Sequence, residues 1–150
     1  MSHTYTNLLV HCVFSTKERR GLLGEDVRRE LWSYMAGIAR NHNMKAIAVG
    51  GTANHCHILL SMQSAQCVAE SVKTLKANSS RWVKQRFPAL DRFSWQQGYG
   101  AFSIGISQAE NTIQYIERQM EHHRQRTFKE EFLAFLKRHR IEYDPRYIWD

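Results

Sequence analysis

The stretch MKAIAVGGTANHCHILLSM (residues 44–62) organises the reading of the whole chain. Met44 to Val49 is apolar and β-prone, and Gly50-Gly51 is expected to break that strand. Residues 54–62 (NHCHILLSM) then form a second strand, so the segment reads as a β-hairpin. Alternation along a strand turns the side chains of His55 and His57 to one face, about 7 Å apart along the chain, and Cys56 to the other. Two neutral imidazoles so placed can share one divalent metal ion, although His-X-His by itself also suits a half-exposed strand.

Outward from this hairpin the pattern is regular. Residues 7–14 (NLLVHCVF) form an almost continuous apolar run, as expected of a strand covered on both faces. After a loop at 15–24 carrying Lys17, Arg19 and Arg20, Val27, Leu31, Tyr34, Met35 and Ile38 recur at helical spacing. Beyond the hairpin, Val68, Val72, Leu75, Trp82 and Val83 mark a second helix. It must stop before Phe87-Pro88, because proline disfavours helical geometry in the residue it follows. Residues 99–106 (YGAFSIGI) form a fourth strand. Ser107-Gln108-Ala109-Glu110 has the form of a capping box and predicts a third helix running to about Arg124, with Ile113, Ile116 and Met120 as its apolar stripe. A second box, Thr127 to Glu130, opens a short helix on Phe128, Phe132, Phe135 and Leu136. The order is βαββαβ followed by further helices. We therefore expect an α+β, ferredoxin-like antiparallel sheet with helices on one face plus C-terminal helices, in a single domain over residues 1–150.

Composition narrows the class of protein. No apolar run approaches a membrane span, the N-terminus lacks the features of a signal peptide, and no Gly-rich phosphate loop calls for a nucleotide cofactor. Cys12, Cys56 and Cys67 are odd in number and lie in apolar surroundings, which suggests buried free thiols in a cytoplasmic protein without membrane partners. The net charge of +7 favours a polyanionic partner. Between residues 62 and 108, six cations face two anions. Lys73, Lys76 and Lys84 flank the apolar stripe of the second helix, where they could meet DNA phosphates, as could Lys17 and Arg19 in the first loop. Trp82 and Trp95 are candidate base-stacking rings, with Trp82 better placed for the core.

On the third helix Tyr115 and Gln119 stand i, i+4 apart, on one face and away from the apolar stripe. Spacing alone does not single out Tyr115 from Tyr5, Tyr34, Tyr99, Tyr143 and Tyr147.

The pair NHCHILLSM and NTIQYIERQMEHH resembles the two signature segments of the single-tyrosine HUH transposases of minimal bacterial insertion sequences, with repeat-associated tyrosine transposases as close cousins. Further similarity is visible in LLVHCVFSTKER (residues 8–19) and WQQGYGAFSIGIS (residues 95–107). The resemblance implies that His55, His57 and Gln119 bind a divalent metal, Mg²⁺ or Mn²⁺, and that Tyr115 is the nucleophile. It also implies cleavage and rejoining of single-stranded DNA at hairpin-bearing ends through a 5′-phosphotyrosine, by a homodimer in which the tyrosine helix often completes the partner's site. Cys56 departs from the larger hydrophobe usual between the two histidines, a tolerable change because a buried cysteine packs as a small hydrophobe. His122 and His123 could touch the site or be ordinary helix residues. Alternatives are a domesticated nuclease acting on repeated palindromes, a replication-initiation nuclease, or a non-catalytic single-strand-binding module.

Overall fold

The computed structural model describes residues 3–149. Four strands, β1 (Leu8–Ser15), β2 (Lys45–Thr52), β3 (His55–Met62) and β4 (Gly100–Ile104), form one sheet in the order β2-β3-β1-β4. All three pairings are antiparallel. The strand order and the helical connections α1 (Glu25–Asn41) and α2 (Val68–Arg86) are those of the ferredoxin-like fold expected from the sequence. Among the described residues, no helix is long and apolar enough to cross a membrane.

Period-2 alternation divides the sheet into two faces. Cys12, Phe14, Cys56, Ile58, Leu60 and Met62 point to one, where they are buried under Val27, Leu31, Met35 and Ile38 of α1 and Val72, Leu75 and Val83 of α2. Helix α2 ends at Arg86, as the following Phe87-Pro88 requires. Leu9, His11, Val13, His55, His57 and Leu59 point to the opposite face. That face is covered by the C-terminal segments α3 (Ala109–Glu117), α4 (Gln119–His122) and α5 (Phe128–Arg138). The Thr127 box forms as expected: Thr127 Oγ1 accepts from the Glu130 amide at 3.2 Å, and Glu130 Oε1 accepts from the Thr127 amide at 3.2 Å.

Four local expectations are corrected. Gly50-Gly51 does not end β2, which continues through both glycines to Thr52 and pairs Gly50 with His57 and Thr52 with His55. The third helix does not start from a Ser107 box. A 3₁₀ turn over Ile106–Gln108 precedes it, tied by the Gly105 amide to Gln108 Oε1 at 3.3 Å. Nor does that helix run unbroken to Arg124, because Arg118 leaves helical geometry (φ −104°, ψ 24°) and separates α3 from α4. The break changes the helical phase, so Met120 is half exposed while Gln119 is buried against the sheet. Finally, Cys67 is exposed at the N-cap of α2, whereas Cys12 and Cys56 are buried thiols.

Gly50 is required by a close approach. A Cβ at this position would lie 2.3 Å from the carbonyl oxygen of Ile116, the residue after Tyr115. The missing side chain therefore lets α3 rest directly on β2, beside His57. Gly50→Ala should push α3 off the sheet and cost about 1–3 kcal/mol, the usual range for overpacking. A denaturation midpoint equal to that of the parent chain would contradict this packing.

Candidate active site

The site is assembled on the sheet face opposite α1 and α2. His55 and His57 sit side by side on β3 with ring centroids 5.2 Å apart, and neither is accessible to solvent. Gln119, at the start of α4, brings Oε1 to 2.9 Å from His55 Nε2. Its Nε2 donates to the Tyr115 carbonyl at 3.3 Å, which ties the two helical segments together. The four residues singled out by the resemblance are thus brought together, but on two short segments rather than along one straight helix.

The residue at the centre is Glu131, on α5, which the sequence reading did not select. Its side chain is fully buried. Oε1 lies 2.9 Å from His57 Nε2 and 3.5 Å from His55 Nε2, while Oε2 lies 3.1 Å from His123 Nε2 and accepts the Tyr115 hydroxyl hydrogen bond. Arg126 Nη2 donates to the same hydroxyl at 3.3 Å. A signal for Glu131 was present, since it falls three residues after Phe128 and four before Phe135, on the apolar stripe of its helix. His11 was also missed. Embedded in an apolar strand, it stands behind His57, with its Nε2 2.8 Å from His57 Nδ1.

Burial sets the protonation states. It lowers His55 to about 3, with the neighbouring His57 acting in the same direction, and it lowers His11 as well. Burial would push Glu131 up, but the close approach of the His123 ring and the hydrogen bond to His57, with further attraction from His57 and His55, outweigh it and hold the carboxyl well below the usual range. Tyr115 is pushed up to about 12 by burial and by the Glu131 carboxylate, so at neutral pH it keeps its proton. The cluster therefore sets an ionised carboxylate beside His55, which is neutral at pH 7.

This donor set suits a divalent cation. Ligand atoms of His55, His57, His123 and Glu131 all lie within 4.8 Å of one another. His123 Nε2 is buried without an aligned hydrogen bond, despite its closeness to Glu131. Behind His55, Nδ1 lies 2.8 Å from Asn54 Oδ1 and 3.0 Å from Thr52 Oγ1. With the Nδ1 proton donated to Asn54, Nε2 turns its lone pair toward Gln119 Oε1 and Glu131 Oε1. Three acceptors then converge, which a cation satisfies and water-free burial does not.

The sequence model of the family described as "Transposase IS200 like" matches residues 4–119. The chain belongs to the IS200-like transposase family. It is 29% identical over 127 residues to the transposase for insertion sequence element IS200 of Salmonella typhimurium, covering 81% of this chain and 82% of that protein. It is 28% identical over 112 residues to the ISDra2 transposase TnpA of Deinococcus radiodurans, covering 74% and 80%. Among solved structures, it resembles a protein from Deinococcus radiodurans R1 described as a transposase, with a TM-score of 0.66, 25% identity, and coverage of 79% of this chain and 96% of the other. A REP-associated tyrosine transposase bound to a REP hairpin shares the fold, with a TM-score of 0.60, 13% identity, and coverage of 82% and 73%. The family match ends at Gln119, so His123, Arg126 and Glu131 of this transposase lie beyond it.

The basic residues divide between two surfaces. Lys73, Lys76 and Lys84 lie on α2, across the sheet from Tyr115. Lys73 and Lys84 are exposed, but the Lys76 ammonium donates to the carbonyls of Gln96 (2.7 Å) and Gly98, and burial lowers its pKa to about 8. Trp95 is buried and donates from Nε1 to Ser79 Oγ at 2.9 Å, while Trp82 stacks on Tyr34 at 4.6 Å. Lys17 and Arg19 lie nearer the histidines: the Lys17 turn packs against the β2–β3 hairpin, and Arg19 sits 5.3 Å over Trp149, which contacts Phe132 of α5.

The depressed imidazoles fix a sign for pH dependence. Below an unfolded-state value of about 6.5 the unfolded chain takes up protons that buried His55 refuses, so stability is lost as pH falls. His11 acts in the same direction, and ionised Glu131 adds to it at lower pH. In chelator, the unfolding free energy should fall on the order of 1 kcal/mol per pH unit below about 6.5 for each such histidine. Denaturant curves at pH 7 and pH 5 check this, and equal stabilities would contradict neutral burial of these rings.

Proposed function

We propose that this transposase cuts and rejoins single-stranded DNA by attack of Tyr115 on a phosphodiester, with a divalent ion, Mg²⁺ or Mn²⁺, held by His55, His57 and Gln119. The observation that carries this reading is the convergence of those three buried donors with the Tyr115 hydroxyl around one carboxylate, Glu131.

At its raised pKa Tyr115 is a poor nucleophile, so it needs a proton acceptor and a polarised phosphorus. Glu131 Oε2 already accepts its hydrogen bond and is placed to take the proton as Oη approaches phosphorus. Arg126, beside that oxygen, can meet a non-bridging phosphate oxygen in a charge-assisted contact. A divalent ion bound at the imidazoles would draw charge from the scissile phosphate and orient it for in-line attack. The bond formed joins Tyr115 Oη to phosphorus. The bond broken is that to the 3′ oxygen, which takes up a proton and leaves as a 3′-hydroxyl. The 5′-phosphotyrosine retains the bond energy, so a second 3′-hydroxyl can reverse the step without ATP.

Lys17, Arg19, Lys73 and Lys84 would guide the phosphates of hairpin-bearing ends, and a cytoplasmic location fits such a reaction. His55, His57, Gln119 and Tyr115 lie within reach of each other in one chain, and the protein would act as a homodimer. Tyr115→Phe removes only the hydroxyl and should abolish both cleavage and the protein–DNA adduct, leaving folding and DNA binding intact. Peptide mapping of trapped adduct checks the assignment, and an adduct that persists in Tyr115→Phe would overturn it. Chelation should likewise stop cleavage by the parent chain, whereas full cleavage in EDTA would remove the metal from the mechanism.

A further inference from the structure

A cleft of about 330 Å³ opens directly beside Tyr115, between α3 and α5. Its size is at the lower end of the range of about 300–1,000 Å³ typical of ligand pockets, enough for one nucleotide rather than several. It is lined by Tyr115, by His11 of β1 and by Ile104 of β4. Arg126, which donates to the Tyr115 hydroxyl, and Arg138, over the Phe135 ring at 5.8 Å, also line it. No acidic side chain is among the lining residues. Gln108, in the turn before α3, and Asn111 of α3 bring side-chain amides to the lining, and Asn111 is exposed. His139, half-buried, also lines the cleft, with its ring stacked on Phe102 at 4.7 Å.

These features match the chemistry of one nucleotide. Single-stranded bases are bound by stacking on aromatic or histidine rings and by amide hydrogen bonds to their exposed edges, with arginines taking the phosphates. A strand whose scissile phosphate lies at Tyr115 Oη and Arg126 must place one adjoining nucleotide next to this opening. We infer that the cleft seats that nucleotide, with its base stacked on His139 and its edge read by Asn111, and with the next phosphate at Arg138. The inference rests on the proposed tyrosine chemistry and adds to it a base preference at one position beside the cut.

The test uses the full chain and a pool of single-stranded oligonucleotides in which stem-loops of random sequence are flanked by randomised single-stranded segments. Adducts are recovered, and both the strand attached to Tyr115 and the released 3′-hydroxyl strand are sequenced. The parent chain should show a preference of roughly tenfold for one base at one of the two positions flanking the cut, the size expected of direct amide readout. Asn111→Ala, an exposed substitution to a better helix former, should flatten that preference while adduct still forms. Gln114→Ala, on the same helix but outside the cleft, should leave the preference unchanged. No preference at either flanking position, or one that survives Asn111→Ala, would overturn the inference while leaving the tyrosine chemistry standing. Absence of any adduct with the parent chain would overturn both.

Discussion

Burying a carboxylate costs several kcal/mol unless hydrogen-bond donors or a cation replace its lost hydration. Glu131 is such a carboxylate, and the C-terminal half of the chain is arranged around it. One oxygen faces the two imidazoles of β3; the other faces His123 and the Tyr115 hydroxyl. Through these contacts α5 is fixed to the sheet, α3 is held with its tyrosine inward, and the chain between them is drawn over the histidines. His55 is neutral, so these contacts offset the buried charge only in part. A divalent cation would complete the compensation, which makes charge balance a physical reason for this cluster to exist.

The approach of α3 to the sheet is the second constraint. Gly50 leaves room for the Ile116 carbonyl, and the break at Arg118 turns Gln119 inward where a straight helix would have presented Met120. Helix α5 bears on α3 through Tyr115 and Phe135, whose rings are 5.9 Å apart, and both residues line the cleft.

Much of this was legible in the sequence because it is local. The alternation His55-Cys56-His57 fixed which side chains share a face, Phe87-Pro88 ended a helix, and Thr127 with Glu130 started another. What the sequence concealed depends on contacts between distant segments. Glu131 touches His57 across 74 positions, and beside Glu130, whose carboxylate caps the helix, it reads as one more acid of a first turn. Its position on the phenylalanine stripe was the available sign that it faces inward. His11 was concealed in the same way by an apolar strand, since only pairing of β1 with β3 brings it behind His57. The glycine pair looked like a strand break because its other use, making room for α3, involves a partner more than sixty residues away. Lys76 read as a surface cation, yet the loop at 96–98 folds back over its ammonium.

If these imidazoles and Glu131 form a cation site aligned with the tyrosine, a bound metal ion must be visible between them. Anomalous diffraction from crystals grown with Mn²⁺ tests it most directly. One manganese peak is expected, bonded to His55 Nε2 and His57 Nε2 at about 2.0–2.3 Å, with Gln119 or Glu131 oxygen in its shell and the Tyr115 hydroxyl facing the same space. A crystal saturated with manganese that shows no peak between His55 and His57, or one with Tyr115 turned away from it, would contradict the account.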